Sequence, residues 1–491
     1  MNIVFATASQ LAQMIRDREV SATEVVNAYL EQIDKHNQKI NAIATLNREQ
    51  ALKKAKEADE ALAKGENWGV LHGVPVTIKD LFKTAGLTTT AGYLPLKDYV
   101  PDEDATTVAR LKAAGAIILG KTNIPQFGGD YQTKNPVFGR TNNPWDLNHT
   151  VGGSSGGSAG AVAAGFSPLD LGSDIAGSIR LPAHYCGVYG FMPTDGRVST
   201  TGHMPPLPGQ SKYIRQMLRV GTLVRSVEDL QLSLAIIAGA DINQPEIPPV
   251  PLDKPTGKPL SELKIAWTYG YDFLPITKDT QVCIQNLINR LTNAGCHLTE
   301  SNPTDLDWSD TLTNYGILSF FELFASTSSS KDLIGGFQFS LKSEFLARTQ
   351  TAFKSGTPFT KKTKLAFPPS LAKYKAILAQ RDRTMTQMDR FMNRWDAWIC
   401  PVSITPAFPH CDFGQSIEVD GTKFPYLLAC GGYTMPLNFT GSPVVVIPIG
   451  KSKSGLPIGV QIVGKRWQDL ELLAIAKKLD KIASNFQHPN L

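Results

Sequence analysis

The segment Val151-Gly-Gly-Ser-Ser-Gly-Gly-Ser158 places two adjacent serines, Ser154 and Ser155, between two pairs of glycines. Glycine lets the backbone adopt conformations that other residues disfavour, and it lets other atoms approach closely. Serine hydroxyl groups held in such backbone lie beside accessible N–H groups. This combination suits a nucleophile next to an oxyanion hole. A second glycine-serine step, Gly177–Ser178, follows further along the chain.

Three other interpretations of the glycine-serine run compete with this one. Gly152 and Gly157 have the spacing of a phosphate-binding loop, but Ser158 stands where that loop requires lysine. The pattern Gly-x-Ser-x-Gly around Ser154 also matches the nucleophile elbow of α/β-hydrolases, whose chemistry needs a histidine and an acid further on. A flexible linker fits poorly, because residues 159–172 are small and apolar and predict a buried helix.

Upstream, the segment Gly73-Val-Pro-Val-Thr-Ile-Lys79-Asp80 predicts a strand over residues 74–78 that ends in a lysine. A lysine in this position is usually a solvated strand terminus. It becomes a base if burial disfavours the ammonium form and lowers the pKa. Lys79 is therefore a candidate partner for the two serine motifs that follow.

These motifs resemble, in order and spacing, those of the amidase signature family. The matching segments are 73–80, 152–158 and 172–180, and the resemblance extends from roughly Ser21 to Lys478. The run from Asn135 to Trp145 particularly resembles the fatty acid amide hydrolase branch of that family. Further family landmarks are Asn143–Trp145, Gly196–Ser199, Arg225–Asp229 and Gly455–Gln461.

The resemblance implies a Ser–cisSer–Lys triad with Ser178 as nucleophile, Ser154 as proton relay and Lys79 as base. It also implies a cis peptide bond between Gly153 and Ser154. The chemistry is coherent, because a serine hydroxyl is a poor nucleophile until a base takes its proton. An interposed hydroxyl group can accept one proton while it donates another.

The resemblance further implies an oxyanion hole of backbone N–H groups, followed by a helix start at Ile179–Arg180. Many family members have glycine where this chain has Ala176; the N–H group is kept, and the methyl group is expected to narrow the acyl side. No histidine lies inside the three motifs, and His184 is interpreted as structural. The expected oxyanion-hole residues are Ile175, Ala176, Gly177 and Ser178, and the expected supporting or substrate-binding residues are Gly128, Ser155, Asp174 and Arg180.

Composition is that of an ordinary globular protein, with 42% hydrophobic and 19% charged residues among 491. The net charge of +5 is too mild and too evenly spread to indicate nucleic-acid binding. The six cysteines form no CxxC pair, so we expect reduced thiols, no metal site and no cofactor. The amino terminus lacks a signal-peptide pattern, and no apolar run approaches about 20 residues, so we expect a cytoplasmic protein.

The fold expected from the resemblance is α/β, a mixed central β-sheet covered by helices on both faces. Length alone predicts about three domains, but the resemblance implies one amidase domain over 1–491. Ser21-x-x-Glu24 predicts a capping box at a helix start, and residues 122–150 and 183–210 read as irregular. The expected segments are a helical amino-terminal part (1–66), the signature core (67–240), a proline-rich linker (241–258), and a second half (259–491) with a variable helical region (309–391).

The sequence thus predicts an amidase that acts on a small-molecule amide and favours an apolar acyl group. Residues 331–367 mix phenylalanine and lysine, which suits a lid that touches a membrane and equally suits a solvated helical face. A homodimer is left open. The alternatives are an amidotransferase A-type subunit that supplies ammonia to mischarged tRNA, and a catalytically silent family member. The candidate acyl-pocket residues are Phe127, Phe138, Phe191, Phe320, Phe321 and Phe324.

Overall fold

Helices make up the amino-terminal part of the chain and recur between the strands. The computed structural model describes residues 2–210, 214–271, 273–325, 370–483 and 486–491. The helices are α1 Ala8–Arg16, α2 Ala22–Ile40, α3 Arg48–Ala63, α4 Thr106–Ala113, α5 Gly156–Ala163, α6 Arg180–Cys186, α7 Val227–Ile237, α8 Lys278–Asn293, α9 Trp308–Phe320, α10 Leu371–Met392, α11 Tyr426–Gly431, α12 Met435–Thr440 and α13 Asp469–Asp480, with 3₁₀ turns at Ile3–Phe5, Leu94–Leu96, Gln126–Gly128 and Leu260–Glu262 and a π turn at Phe321–Ala325.

In the part of the chain that the structure describes, strands occur in one large sheet and three short hairpins. The hairpin strands are β4 Lys134–Asn135, β5 Gly139–Arg140, β6 Asn142–Asn143, β7 Asp146–Thr150, β14 Ile417–Val419 and β15 Thr422–Phe424. The strands of the large sheet are β1 Ile43–Leu46, β2 Pro75–Lys79, β3 Ile117–Thr122, β8 Leu169–Asp174, β9 Tyr189–Met192, β10 Arg219–Val224, β11 Lys264–Trp267, β12 His297–Glu300, β13 Ala397–Pro401, β16 Val444–Lys451 and β17 Pro457–Val463.

Within the described residues the large sheet has eleven strands in the order β1-β3-β2-β8-β10-β9-β16-β17-β13-β11-β12. It is mixed: β3, β2 and β8 run parallel to one another, as do β13, β11 and β12, whereas the strands between them pair antiparallel. Helices flank the sheet, so the predicted α/β architecture is confirmed.

Helix α2 begins as the sequence predicts. The Ser21 hydroxyl accepts the N–H of Glu24 at 3.0 Å, and the Glu24 carboxylate accepts the N–H of Ser21 at 2.7 Å. This reciprocal capping box satisfies two donors that a helix start leaves unpaired. The side of α2 that carries Val25, Tyr29 and Ile33 is buried against the rest of the protein.

Strands β2 and β8 position the site, because they are adjacent and parallel. Thr77 pairs with Asp170 and Ile78 with Leu171, and every residue of both strands is buried. The carboxyl ends of parallel strands lie at the same edge of a sheet. Lys79, the last residue of β2, therefore lies beside the end of β8.

Two predictions about the segments after the glycine-serine run need correction. Helix α5 ends at Ala163, and residues up to 172 do not continue it, because Gly165 adopts φ +73° and the chain then enters β8. Residues 183–210 are not uniformly irregular, since α6 and β9 occupy their first part. These elements are short and wholly buried, so they lack the polar alternation that marks a surface helix or strand.

The described residues 241–259, which include the predicted linker, contain no helix or strand. Among the described helices, none combines the length and the apolar character that crossing a bilayer requires.

Candidate active site

Lys79 is fully buried at the end of β2. Its Nζ atom lies 2.8 Å from Oγ of Ser154, 3.0 Å from Oγ of Ser173 and 3.2 Å from the carbonyl oxygen of Ser173. Burial lowers the pKa of Lys79 from 10.5 to about 7, although the carboxylates of Asp174 and Asp170 oppose this shift. A substantial fraction of this lysine is therefore an uncharged amine near neutral pH.

The three contacts of Nζ match what a neutral amine offers. An uncharged amine has two N–H donors and one lone pair. If both N–H groups donate to the two oxygens of Ser173, the lone pair faces the hydroxyl group of Ser154. In that arrangement the Ser154 hydroxyl group can donate to the amine of Lys79.

Ser154 and Ser178 are both nearly inaccessible, with 3% and 5% exposure. The Gly153–Ser154 peptide bond is cis, as the resemblance implies. Ser155 joins the two segments, because its N–H donates to the carbonyl oxygen of Ser178 at 3.0 Å. Among the described residues, the Ser178 hydroxyl group makes no hydrogen bond.

Gly128 lies directly against the Ser154 hydroxyl group. A Cβ atom at this position would stand 3.2 Å from Oγ of Ser154 and 3.2 Å from Cδ1 of Leu81, and the backbone has φ +71°. Both the space and the conformation favour glycine. The structure therefore places Gly128, one of the expected supporting residues, beside Ser154.

Asp174 and Arg180 form a buried pair next to the segment that carries Ser178. Arg180 donates to both carboxylate oxygens of Asp174, at 3.1 and 2.9 Å. Burial by itself would raise the pKa of Asp174, but the Arg180 charge and the hydrogen bonds outweigh it and hold that pKa well below its usual range. The same carboxylate accepts the N–H groups of Gly177 at 2.8 Å and Ile179 at 3.0 Å.

This carboxylate engages one of the four N–H groups expected in the oxyanion hole. The Gly177 N–H is committed to Asp174, so it does not face a substrate in this structure. Among the described residues, none accepts a hydrogen bond from the N–H groups of Ile175, Ala176 or Ser178. Those three N–H groups therefore remain available as hydrogen-bond donors in the described structure.

Three side chains that are distant in sequence donate hydrogen bonds to carbonyl groups of the loop 175–178. Tyr315 donates to the carbonyl oxygen of Ile175 at 3.0 Å, and Tyr131 and Thr434 donate to that of Ala176 at 2.8 and 2.6 Å. In a trans peptide the C=O and the following N–H point in opposite directions. Anchoring the Ile175 carbonyl group thus fixes the direction of the Ala176 N–H. Sequence reasoning missed all three anchors, since none lies within a motif.

An apolar cluster adjoins the same loop. The side chains of Ile175 and Ala176 pack against it, and Phe321 contributes to it. Of the other predicted acyl-pocket residues, Phe191 lies in the sheet core, Phe127 packs in a separate cluster and Phe138 is half-buried elsewhere. The side chains of Phe320 and Phe324 and the segment 331–367 lie outside the described residues. The cluster's other members are Met217, Tyr315, Ile317, Leu318, Tyr374, Ile377, Leu378, Met435 and Phe439.

Two histidines have different surroundings. The ring of His184 is held by the Thr405 carbonyl oxygen at 3.2 Å and by the Gly459 N–H at 2.7 Å, and burial lowers its pKa to about 4, in agreement with a structural role. His203, which the sequence analysis did not single out, has Nε2 2.9 Å from Oγ of Ser173. The described residues contain no cluster of three or more His, Cys, Asp or Glu side chains arranged to hold a metal ion.

The fold and the buried lysine–serine pair lead to the class of the amidases, which comparison with known proteins identifies. The model of the Amidase family matches residues 24–473, and the chain belongs to this family. It is an amide-hydrolysing enzyme.

Three relatives illustrate the range within the family. The A-type subunit of the glutamyl-tRNA(Gln) amidotransferase from Koribacter versatilis is 31% identical over 98% of both chains. A structure described as a vestigial protein complex that reveals the origins of an s-triazine catabolic enzyme is 29% identical, with a TM-score of 0.79 over 98% of this chain and 100% of the other. A bacterial aryl acylamidase is 25% identical, with a TM-score of 0.80 over 97% of this chain and 96% of the other.

Proposed function

We propose that this enzyme hydrolyses a carboxylic amide to a carboxylate and an amine or ammonia through a covalent acyl-serine intermediate. Ser178 is the nucleophile, Ser154 the proton relay and Lys79 the base. The observation that carries the proposal is the position of Lys79: its amine is fully buried and lies 2.8 Å from the Ser154 hydroxyl oxygen. A buried amine with a pKa near 7 matches the requirement for a general base at neutral pH.

In acylation, the Ser178 oxygen attacks the amide carbonyl carbon. Its proton passes to Ser154 while the Ser154 proton passes to Lys79, so the developing negative charge stays on the substrate oxygen. The N–H groups of Ile175, Ala176 and Ser178 bind that oxygen. When the C–N bond breaks, the proton returns from Lys79 through Ser154 to the leaving nitrogen.

Deacylation repeats the route with water. A water molecule attacks the acyl ester and gives up a proton through Ser154 to Lys79. The ester C–O bond then breaks, the proton returns through Ser154 to the Ser178 oxygen, and the carboxylic acid leaves and loses its remaining proton to solvent. Asp174 and Arg180 do not exchange protons in this scheme, since they hold the backbone that carries Ser178.

The apolar cluster beside Ile175 and Ala176 supports an apolar acyl group. Its described side chains are aliphatic, thioether or aromatic, with the phenol groups of Tyr315 and Tyr374 as its polar atoms. Burying an apolar acyl chain against such side chains contributes about 25 cal/mol per Å². Aliphatic, aryl and long-chain amides all meet this description.

A substrate panel tests the proposal. Amides of increasing acyl size are incubated with the enzyme, and released ammonia or amine and the mass of the acyl-enzyme are measured. We expect Ser178→Ala to abolish acyl-enzyme formation, and Lys79→Ala and Ser154→Ala to slow it by at least roughly a thousandfold. Ser167→Ala is the matched control, because this buried hydroxyl group bonds only the Leu169 carbonyl oxygen outside the site. Acylation that persists in Ser178→Ala would show that the nucleophile is misassigned.

A second candidate function is that of an amidotransferase A-type subunit, which supplies ammonia to mischarged tRNA. The relative from Koribacter versatilis is named as such a subunit, and it matches nearly the whole chain. This function would require partner subunits, and the modest net charge of +5 offers little support for tRNA contact. Glutamine in the panel, together with pull-down of partner chains, discriminates between the two. Glutamine hydrolysis stimulated by a co-purifying partner chain favours the amidotransferase, whereas hydrolysis of apolar amides by the isolated chain favours the amidase.

The remaining features of the proposal concern the whole chain. We propose a single amidase domain over 1–491 that works in the cytoplasm on small-molecule amides, without nucleic acid, and a homodimer is left open. Liposome flotation tests for membrane contact, and protein that stays in solution would exclude it.

A further inference from the structure

We propose that His203 is a positioning residue for the catalytic base: its Nε2 atom accepts the Ser173 hydroxyl proton and so keeps the Lys79 lone pair available to Ser154. The inference rests on the proposed function and adds a residue to it. The path is short, since Oγ of Ser173 lies 3.0 Å from Nζ of Lys79 and 2.9 Å from Nε2 of His203.

The argument depends on where the single Ser173 hydroxyl hydrogen points. A hydroxyl group donates one hydrogen bond and accepts up to two. If the Ser173 hydroxyl donates to Nε2 of His203, its oxygen can still accept an N–H from Lys79. If it instead donates to Lys79, it occupies the lone pair that must take the proton of Ser154.

The surroundings of His203 hold its side chain and its backbone in place. Its side chain is buried, and its ring meets the edge of Phe82 at 5.0 Å and 85°. The backbone on either side is fixed, because the His203 N–H donates to Thr200 and the Met204 N–H donates to the Leu81 carbonyl oxygen at 2.7 Å. The segment that carries His203 is thereby tied to the chain just after Lys79.

Removing the acceptor has a predictable effect on the pH profile. Without Nε2, the Ser173 hydroxyl turns and donates to the Lys79 lone pair, which stabilises the neutral amine. The acidic limb of the kcat/KM profile then moves to lower pH while the plateau falls. A residue that acts only through packing would lower the plateau without moving the limb.

The experiment is a double-mutant cycle on the full-length enzyme. His203→Phe keeps a ring against Phe82 and removes the acceptor, and His203→Gln keeps an acceptor. We expect His203→Phe to lower the plateau of kcat/KM by about 10-fold, as for the loss of one oriented hydrogen bond, and His203→Gln to recover most of it. In a Ser173→Ala background, His203→Phe should have no further effect. His203→Leu serves as a second variant, judged by the same cycle, if the Phe variant unfolds at a lower temperature.

Two results would overturn the inference. One is an equal loss from His203→Phe with and without Ser173, and the other is an unmoved acidic limb. Either leaves the proposed triad intact. Failure of the triad is recognised separately, by acylation that survives in Lys79→Ala and Ser178→Ala.

Discussion

The protonation state of Lys79 sets how much of the enzyme is active at a given pH. Burial lowers its pKa from 10.5 to about 7. At pH 7 about half of the molecules then hold a neutral amine, against roughly one in 3,000 for an ordinary lysine. We therefore expect kcat/KM on an uncharged amide to rise with pH through about 7 and to level off above it, since the neutral form is the active one.

The assay is the pH dependence of kcat/KM for the wild type and two variants. Lys79→Arg should lose at least roughly a thousandfold activity and should not recover at high pH, because arginine stays protonated. Asp170→Asn serves as the control, because burial raises the pKa of Asp170 to about 6. Titration of a carboxyl group with that pKa would also make kcat/KM change with pH close to 7. If Lys79 is the titrating group, Asp170→Asn keeps the limb and moves it to lower pH, because the lost carboxylate had raised the pKa of Lys79.

Two results would refute this reasoning. A profile that is flat between about pH 5 and pH 9 would show that no group with a pKa near 7 controls activity. A limb that disappears in Asp170→Asn would assign the titration to that carboxyl group instead of to the lysine.

Three further predictions follow from the site. Lys79→Met should abolish activity yet raise the melting temperature at pH 7, because the depressed pKa of the buried amine costs about 4 kcal/mol of folding free energy at that pH. The increase in melting temperature should shrink as pH rises from 7 toward 10.5, since in this window the native amine is neutral and the unfolded one is charged. An increase that grows with pH would contradict the prediction. Gly128→Ala should lower kcat by about 10- to 100-fold through crowding of the Ser154 hydroxyl group, whereas Gly316→Ala, which meets nothing within 4 Å, should leave it unchanged. Ala176→Gly should broaden tolerance for bulky acyl groups, and relative rates on small and bulky amides that match the wild type would disprove this.

Most of the residues that the sequence predicts for the site lie within the three local motifs. Lys79, Ser154 and Ser178 were singled out because each belongs to a run whose residue types suit one chemistry. Asp174, Arg180 and Gly128 were expected only as supporting positions that the family resemblance implies, and neither the pairing of Asp174 with Arg180 nor the contact of Gly128 with Ser154 was predicted. The anchors Tyr315 and Thr434 could not be expected in the same way. They contact the carbonyl oxygens of Ile175 and Ala176 only because the tertiary fold brings them there. A single tyrosine or threonine outside a motif carries no sequence pattern that would predict such a contact.

The elements of the fold were likewise predicted where a local sequence pattern marks them and missed where no such pattern exists. The capping box at Ser21 and the strand that ends at Lys79 are local patterns, and both are present. Strand β9 escaped prediction, and only the start of helix α6 at Ile179–Arg180 was expected, because both elements are buried on all sides and so short that no period develops. The engagement of the Gly177 N–H by Asp174 also depends on a side-chain rotamer that residue types alone do not specify.

The pairing of β2 with β8 has a consequence for how this enzyme can vary. Thr77 and Lys79 project to one face of β2, and Thr77 is already joined to Asp170 on the neighbouring strand at 2.6 Å. Inserting or deleting a single residue within β2 would send the amine to the opposite side of the sheet. Insertions and deletions in related enzymes should therefore occur in the connections that precede Pro75. Strand β2 should keep its five residues even where their identities differ.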